Sequence, residues 1–151
     1  LVVGGSWTGL PNVVTAPDGE VACVVVDDDL IDLPTVPAGC VVCVHDEVDV
    51  GLEGVPVLHQ RCSLSVWVSV HSLQEAIRAE ESSANAILAG HIYETDCKKG
   101  LPGRGLEFLT SIIEQVDIPV YAIGGIDQFN IEEVASAGAS GACQMSYYMK
   151  L

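Results

Sequence analysis

Gly90-His91 closes an apolar run, Ala86 to Ala89, and opens a polar, glycine-containing loop that carries Lys98, Lys99 and Arg104. A short continuous apolar run of this kind reads as a buried strand. An imidazole at the C-terminal end of a strand, beside a cationic loop, is how α/β enzymes assemble acid–base chemistry on anionic substrates. Because histidine titrates near neutrality, a single ring can accept a proton and then return it. His91 is therefore the candidate general acid and base, and the three cations are candidates for steering or clamping an anion.

The surrounding chain accentuates those cations. Its formal net charge is −15, and no Lys or Arg precedes Arg61, whereas ten Asp and Glu residues do, from Asp18 to Glu53. Such a field repels nucleic acid and anionic lipid surfaces, which need clustered cations. At 151 residues, 49% of them apolar, with a mean hydropathy of +0.39, the chain is expected to fold as one domain, 1–151. No apolar run approaches the length of a membrane span, and no basic stretch opens the chain as in a signal peptide. A cytoplasmic setting is expected. Of the six cysteines, Cys23, Cys40, Cys43 and Cys143 lie in or beside β-like runs, where Cys behaves as a small buried hydrophobe. Cys40 and Cys43 match CxxC, but positions three apart on a strand face opposite ways, which argues against a shared metal.

The elements that must position these residues follow from periodicity. Eight strand-like runs recur: Leu1–Gly5, Val21–Asp27, Cys40–His45, Val55–His59, Val66–His71, Ala86–His91, Val120–Gly124 and Gly141–Ser146. Most are continuous rather than alternating, which suits a parallel sheet covered on both faces. Helical signals are confined to the second half. Ser72-Leu73-Gln74-Glu75 is a capping box opening a helix to about Glu81. Gly105 to Val116 has apolar residues at helical spacing, and Asp127 to Gly138 reads as a short helix with Asp127 or Asn130 as N-cap and Gly138 at C′. Strand–helix alternation from Val66 onward means βαβ units. The connectors of the first half, among them Thr8 to Gly19 and Gln60 to Ser65, are Pro-, Gly- and Asp-rich and predict no helix. Either they return as extended segments or the early strands are not all parallel.

Taken in order, these motifs resemble the thiamin phosphate synthase/TenI superfamily of (β/α)₈ barrels. The likeness is specific from Val66 to Ser146, loose from Cys40 to Gln60, and reduced to strand rhythm before that. The stretch Gly90-His91-Ile92-Tyr93-Glu94-Thr95-Asp96-Cys97-Lys98-Lys99-Gly100, through Arg104-Gly105, is similar to the loop after the sixth strand in the TenI branch. Ile118 to Ile126 and Gly138 to Ser146 resemble the seventh and eighth strands. Because family members run near 200 residues, the resemblance implies a reduced TIM-barrel-like α/β fold. Its strands would be mostly parallel, and its outer helices largely missing in the N-terminal half and after the last strand.

The resemblance also implies chemistry. In the TenI branch the matching histidine moves a proton in the aromatisation of a carboxylated thiazole phosphate, so His91 would act as general acid and base in a thiazole tautomerase. Gly124, Gly125, Met145 and Ser146, ending the last two strands, would present backbone amides to phosphate. His71, ending the neighbouring strand, would line the pocket with Lys98, Lys99 and Arg104. No cofactor and no metal are expected for this reaction. The alternative is thiamin phosphate synthase, a Mg²⁺-dependent coupling of thiazole phosphate to a pyrimidine pyrophosphate. Against it stands Val24 to Asp29, where three carboxylates occupy the place of the family's pyrophosphate-gripping cluster. A third possibility is a non-catalytic remnant or binding scaffold. The expected partners are a small phosphate ligand and a second copy of the chain, since a barrel short of helices exposes apolar strand faces.

Overall fold

The computed structural model describes residues 65–144, apart from the Cys97 side chain, and the backbone of three earlier strands at 13–15, 21–26 and 41–44. The first three strands are β1 (Val13–Thr15), β2 (Val21–Val26) and β3 (Val41–Val44); then come β4 (Ser65–Val70), α1 (Leu73–Glu81) and β5 (Ala86–Gly90). A 3₁₀ turn at Asp96–Lys98 precedes α2 (Gly105–Ile113), β6 (Val120–Ile123), α3 (Ile131–Ser136) and β7 (Gly141–Cys143). All seven strands form one sheet in sequence order. β2 to β7 are parallel, and β1 runs antiparallel to β2 with a register shift between Val14 and Thr15. This α/β wall, with strands laid side by side in chain order, is the arrangement of a TIM-type barrel.

The early strands differ from the sequence expectation in two ways. β1 arises inside the connector Thr8 to Gly19, and its antiparallel pairing answers the open question of strand direction: a five-residue link reaches an antiparallel neighbour but not a parallel one. In addition, β3 is hydrogen-bonded directly to β4, so the sheet passes from Val41–Val44 to Ser65–Val70 with no strand between them. The expected strands at Leu1–Gly5 and Val55–His59 lie outside the described residues.

Both faces of the sheet from β4 to β7 are covered, as continuous apolar strands require. Val66, Val68, Val70, Ile87, Ala89, Val120 and Ala122 face the helices, where Ala76, Ala79, Leu109, Ile112 and Val134 meet them. The alternate residues Trp67, Ala86, Leu88 and Cys143, with Tyr121 and Ile123, form a second cluster on the other face. There the rings of Trp67 and Tyr121 stack at 4.2 Å. The small side chain of Ala86, partner of Trp67 in the β4–β5 register, is what leaves room for a ring to lean across β5.

Helix boundaries follow local chemistry. Ser72 caps α1 by accepting from the Glu75 amide at 3.2 Å, and Glu75 Oε2 accepts from the His71 amide at 2.6 Å. The expected capping box is therefore present, with its return bond displaced one residue outward. α2 ends at Ile113 rather than Val116, although Val116 still packs in the core. α3 begins at Ile131, not Asp127, because Asp127 and Asn130 bond each other's turn: Asp127 Oδ1 accepts from the Phe129 and Asn130 amides, and Asn130 Oδ1 accepts from the Asp127 amide. Asn130 occupies the N-cap position without a side-chain bond to its helix. Gly138 stands at C′ with φ +96°, as expected. Among the described residues no helix is long and apolar enough to cross a membrane.

Candidate functional site

Parallel register sets the candidate residues on one rim. Val70 is level with Ala89, Ala89 with Ala122, and Gly90 with Ile123. The residues just beyond, His71, His91 and Gly124, therefore leave the C-terminal ends of β4, β5 and β6 side by side. In open and closed parallel sheets alike, this edge is where ligands bind, since the loops there vary freely above a rigid scaffold.

His91 is 5% exposed. Its Nε2 lies 3.0 Å from the Pro102 carbonyl oxygen, which can only accept, so Nε2 carries a proton and donates it there. In the neutral ring the lone pair is then on Nδ1, which is buried and has no hydrogen-bond partner among the described residues. The imidazole is covered by its own loop. The loop closes back on the strand end through three further bonds: Arg104 N–H to His91 O at 3.0 Å, Gly105 N–H to Ile92 O at 2.9 Å, and Arg104 Nε to Gly90 O at 3.2 Å.

Gly124 and Gly125 both adopt positive φ, +98° and +64°. Their missing side chains make room for protein first. A Cβ at Gly124 would collide with His91 Cβ and stand 2.8 Å from its Cα; one at Gly125 would meet the Glu94 carbonyl oxygen and Tyr93 Cβ. The strand pairing also continues past the strand ends, with the Ile92 amide on Ile123 O and the Tyr93 amide on Gly124 O. The Gly-Gly turn is thus nested beneath His91–Glu94. The amides of Gly125 and Ile126 donate to no group among the described residues. They are the part of this turn with capacity left for an anion.

The three loop cations have different fates. Lys98 Nζ donates to His71 Nε2 at 3.3 Å, and His71 Nδ1 is 3.8 Å from Glu75 Oε2. Lys99 is exposed. Arg104, expected to clamp the anion, instead spends its Nε on Gly90 O and lays its guanidinium over the Phe108 ring, 5.5 Å from the centroid. It acts as a clasp between loop and strand. Met145 and Ser146 lie outside the described residues, as do Asp27 to Asp29. Among the described residues no group of three or more His, Cys, Asp or Glu side chains is placed to hold a metal.

Several contributors escaped sequence reasoning. Pro102 supplies the carbonyl that fixes His91. Gly103 lets the loop cross the strand end, since a Cβ there would stand 2.5 Å from Ile92 O and 2.7 Å from Tyr93 Cα. Asn130 Nδ2 donates to Gly125 O at 2.9 Å, tying the turn to the start of α3. Tyr93 donates its hydroxyl to Glu133 Oε2 at 3.0 Å, and its pKa is pushed up to about 12, chiefly by burial and then by the bond and charge of Glu133. Only the Pro-Gly pair at 102–103 carried a signal, that of a turn; the rest depend on which segments the sheet brings together.

Comparison with known proteins agrees with this geometry. Residues 38–147 match a family model described as thiamine monophosphate synthase. The thiamine-phosphate synthase of Pyrococcus abyssi is 38% identical over 107 residues, covering 69% of this chain and 52% of the relative. That of Caldivirga maquilingensis is 33% identical over 130 residues, covering 84% and 60%. Among solved structures, a thiamine phosphate pyrophosphorylase from Pyrococcus furiosus superimposes with a TM-score of 0.56 at 35% identity, over 71% of this chain and 58% of that one. The chain therefore spans little more than half the length of the relatives it matches.

Proposed function

Since the chain belongs to the thiamine monophosphate synthase family, we propose that it works in thiamine biosynthesis on a thiazole phosphate, and that its reaction is the coupling to a pyrimidine pyrophosphate after which its relatives are named. The observation that carries this choice over a proton shift is the state of His91. With its ring 5% exposed and Nε2 committed to Pro102, the imidazole shapes the rim against Gly124 instead of facing a ligand. A coupling enzyme needs to hold and align two phosphorylated partners, and most of its acceleration comes from positioning and charge. The unengaged amides of Gly125 and Ile126 and the ammonium groups of Lys98 and Lys99 serve that purpose from two adjoining loops. Mg²⁺, when bound, would neutralise pyrophosphate charge. The described residues alone supply no ligand set for it, and no step is assigned to it.

The proton shift remains a second reading on one specific observation: the buried, unpartnered Nδ1 of His91 is a base with nothing to accept from. Opening of the loop would offer that lone pair to a thiazole carboxylate. One pair of assays separates the two. Purified chain, supplied with thiazole phosphate, pyrimidine pyrophosphate and Mg²⁺, is expected to release pyrophosphate and form thiamine phosphate. No coupling, together with conversion of the carboxylated thiazole phosphate that His91→Gln abolishes, would replace the first reading by the second. Inactivity in both would remove the enzymatic function.

A further inference from the structure

Asn130 stands at the N-cap position of α3, yet its side chain makes no bond to that helix. Both ends of its amide face the turn before it: Nδ2 donates to Gly125 O and Oδ1 accepts from the Asp127 amide, each at 2.9 Å. An asparagine in this position ordinarily caps its helix. Here it serves the turn instead. The turn needs such a tie, because Gly124 and Gly125 both have positive φ and glycine lets the neighbouring peptide units rotate with little steric resistance.

The bond to Gly125 O fixes the direction of one peptide group. The Gly125–Ile126 unit is trans and planar, so its C=O and N–H point to opposite sides. With the carbonyl held toward Asn130, the Ile126 N–H is turned away from that side chain. The preceding unit is set the same way, since the Tyr93 amide holds Gly124 O at 3.0 Å and directs the Gly125 N–H away from the loop after β5. Of the two amides with capacity left for an anion, one is thus oriented by backbone pairing and the other by a single side chain.

We propose that Asn130 is a positioning residue for the phosphate group of the substrate: by holding Gly125 O it keeps the Ile126 N–H, and not the Gly125 carbonyl oxygen, presented to the ligand. This role rests on the rim assignment made above, and it belongs to a residue that touches no ligand itself. Without the bond the peptide unit can flip, and only the unflipped fraction binds, so affinity falls in proportion to that fraction.

Titration of the full chain with inorganic phosphate, followed by amide NMR, is expected to shift the Gly125 and Ile126 resonances. Asn130→Asp keeps the acceptor for the Asp127 amide and loses only the donor; Asn130→Ser is neutral and still a good helix cap. Both should weaken phosphate binding about tenfold, the worth of one hydrogen bond, and raise KM for the thiazole phosphate with KM for the pyrimidine pyrophosphate unchanged. Glu80→Ala removes the carboxylate that accepts from the Asp117 and Ile118 amides, at the opposite end of β6, and should lose stability while binding phosphate like the wild type. If neither Asn130 variant folds, slower hydrogen exchange of the wild-type Asn130 Nδ2 protons on phosphate binding reports the same tie. Unshifted wild-type resonances, affinity kept in both variants, a loss confined to Asn130→Asp and so due to its charge, an equal loss in Glu80→Ala, or exchange indifferent to phosphate would each overturn the proposal. Phosphate binding that depends on Asn130 without any coupling would leave this role standing and remove the enzymatic assignment; coupling that Asn130→Ser leaves unchanged would do the reverse.

Discussion

At Gly124 two constraints coincide: φ is +98°, and a Cβ would collide with the Cβ of His91. Gly100 shares only the first, with φ +83° and nothing within 4 Å of a built Cβ. Gly100→Ala should therefore cost about 1 kcal/mol of backbone strain, whereas Gly124→Ala should cost on the order of 3 kcal/mol, since strain adds to displacement of the His91 segment. Urea denaturation of the two variants checks this, and equal losses would mean that the close approach at Gly124 is not tight. Tyr93 offers a second test. Its folded pKa of about 12 lies above the ordinary tyrosine value of 10.0, so the folded state keeps a proton that the unfolded chain gives up. The stability this contributes is fully present below pH 10.0 and is lost as pH rises toward about 12. Tyr93→Phe should flatten the decline of stability across that window. Glu133→Gln should lower the value only partway, because burial is the larger cause; a return to an ordinary tyrosine titration, followed by ultraviolet absorbance, would contradict that ranking.

Among the elements, α1 has the most complete local specification. Its cap, its acidic first turn and its two buried alanines agree with one another and with the sheet face it covers. Removing the cap with Ser72→Ala is expected to cost about 1 kcal/mol, read as a lowered denaturation midpoint with the slope unchanged. A variant as stable as the parent would show that burial of Ala76 and Ala79 alone holds the first turn. α3 shows the opposite balance. The side-chain oxygens of Asp127 and Asn130 accept from amides of the turn before it, and Asn130 Nδ2 donates to the carbonyl of Gly125, so local hydrogen bonding holds the glycine turn in place instead of lengthening the helix. The helix is short because the turn before it is built for position.

For the molecule as a whole, the dominant physical fact beside the sheet is a net charge of −15. Compact packing brings those carboxylates closer than they are in the unfolded chain, and salt screens their repulsion over roughly 10 Å at 0.1 M. Raising sodium chloride from low concentration to about 0.15 M should raise Tm. A Tm that falls instead would mean that ion pairs, not self-repulsion, dominate the electrostatics. Among the described residues the acids lie on helices, turns and loops, while both faces of β4 to β7 are apolar.

The amino-acid order by itself determined the parallel, doubly covered sheet from Val66 onward, since unbroken apolar runs cannot be satisfied with one face in water. It also determined the α1 cap and the Gly138 stop, which are contacts between near neighbours. The family resemblance was legible for the same reason: its motifs are contiguous. What only the tertiary structure decided are relations between residues far apart in sequence. The antiparallel β1, the direct pairing of β3 with β4, the shielding of His91 by Pro102, the nesting of Gly124 under His91 and the contact of Lys98 with His71 all belong there. A histidine's composition states that it can move a proton. Whether its nitrogens face a ligand or a carbonyl depends on which loop folds over it, and periodicity carries no information about that.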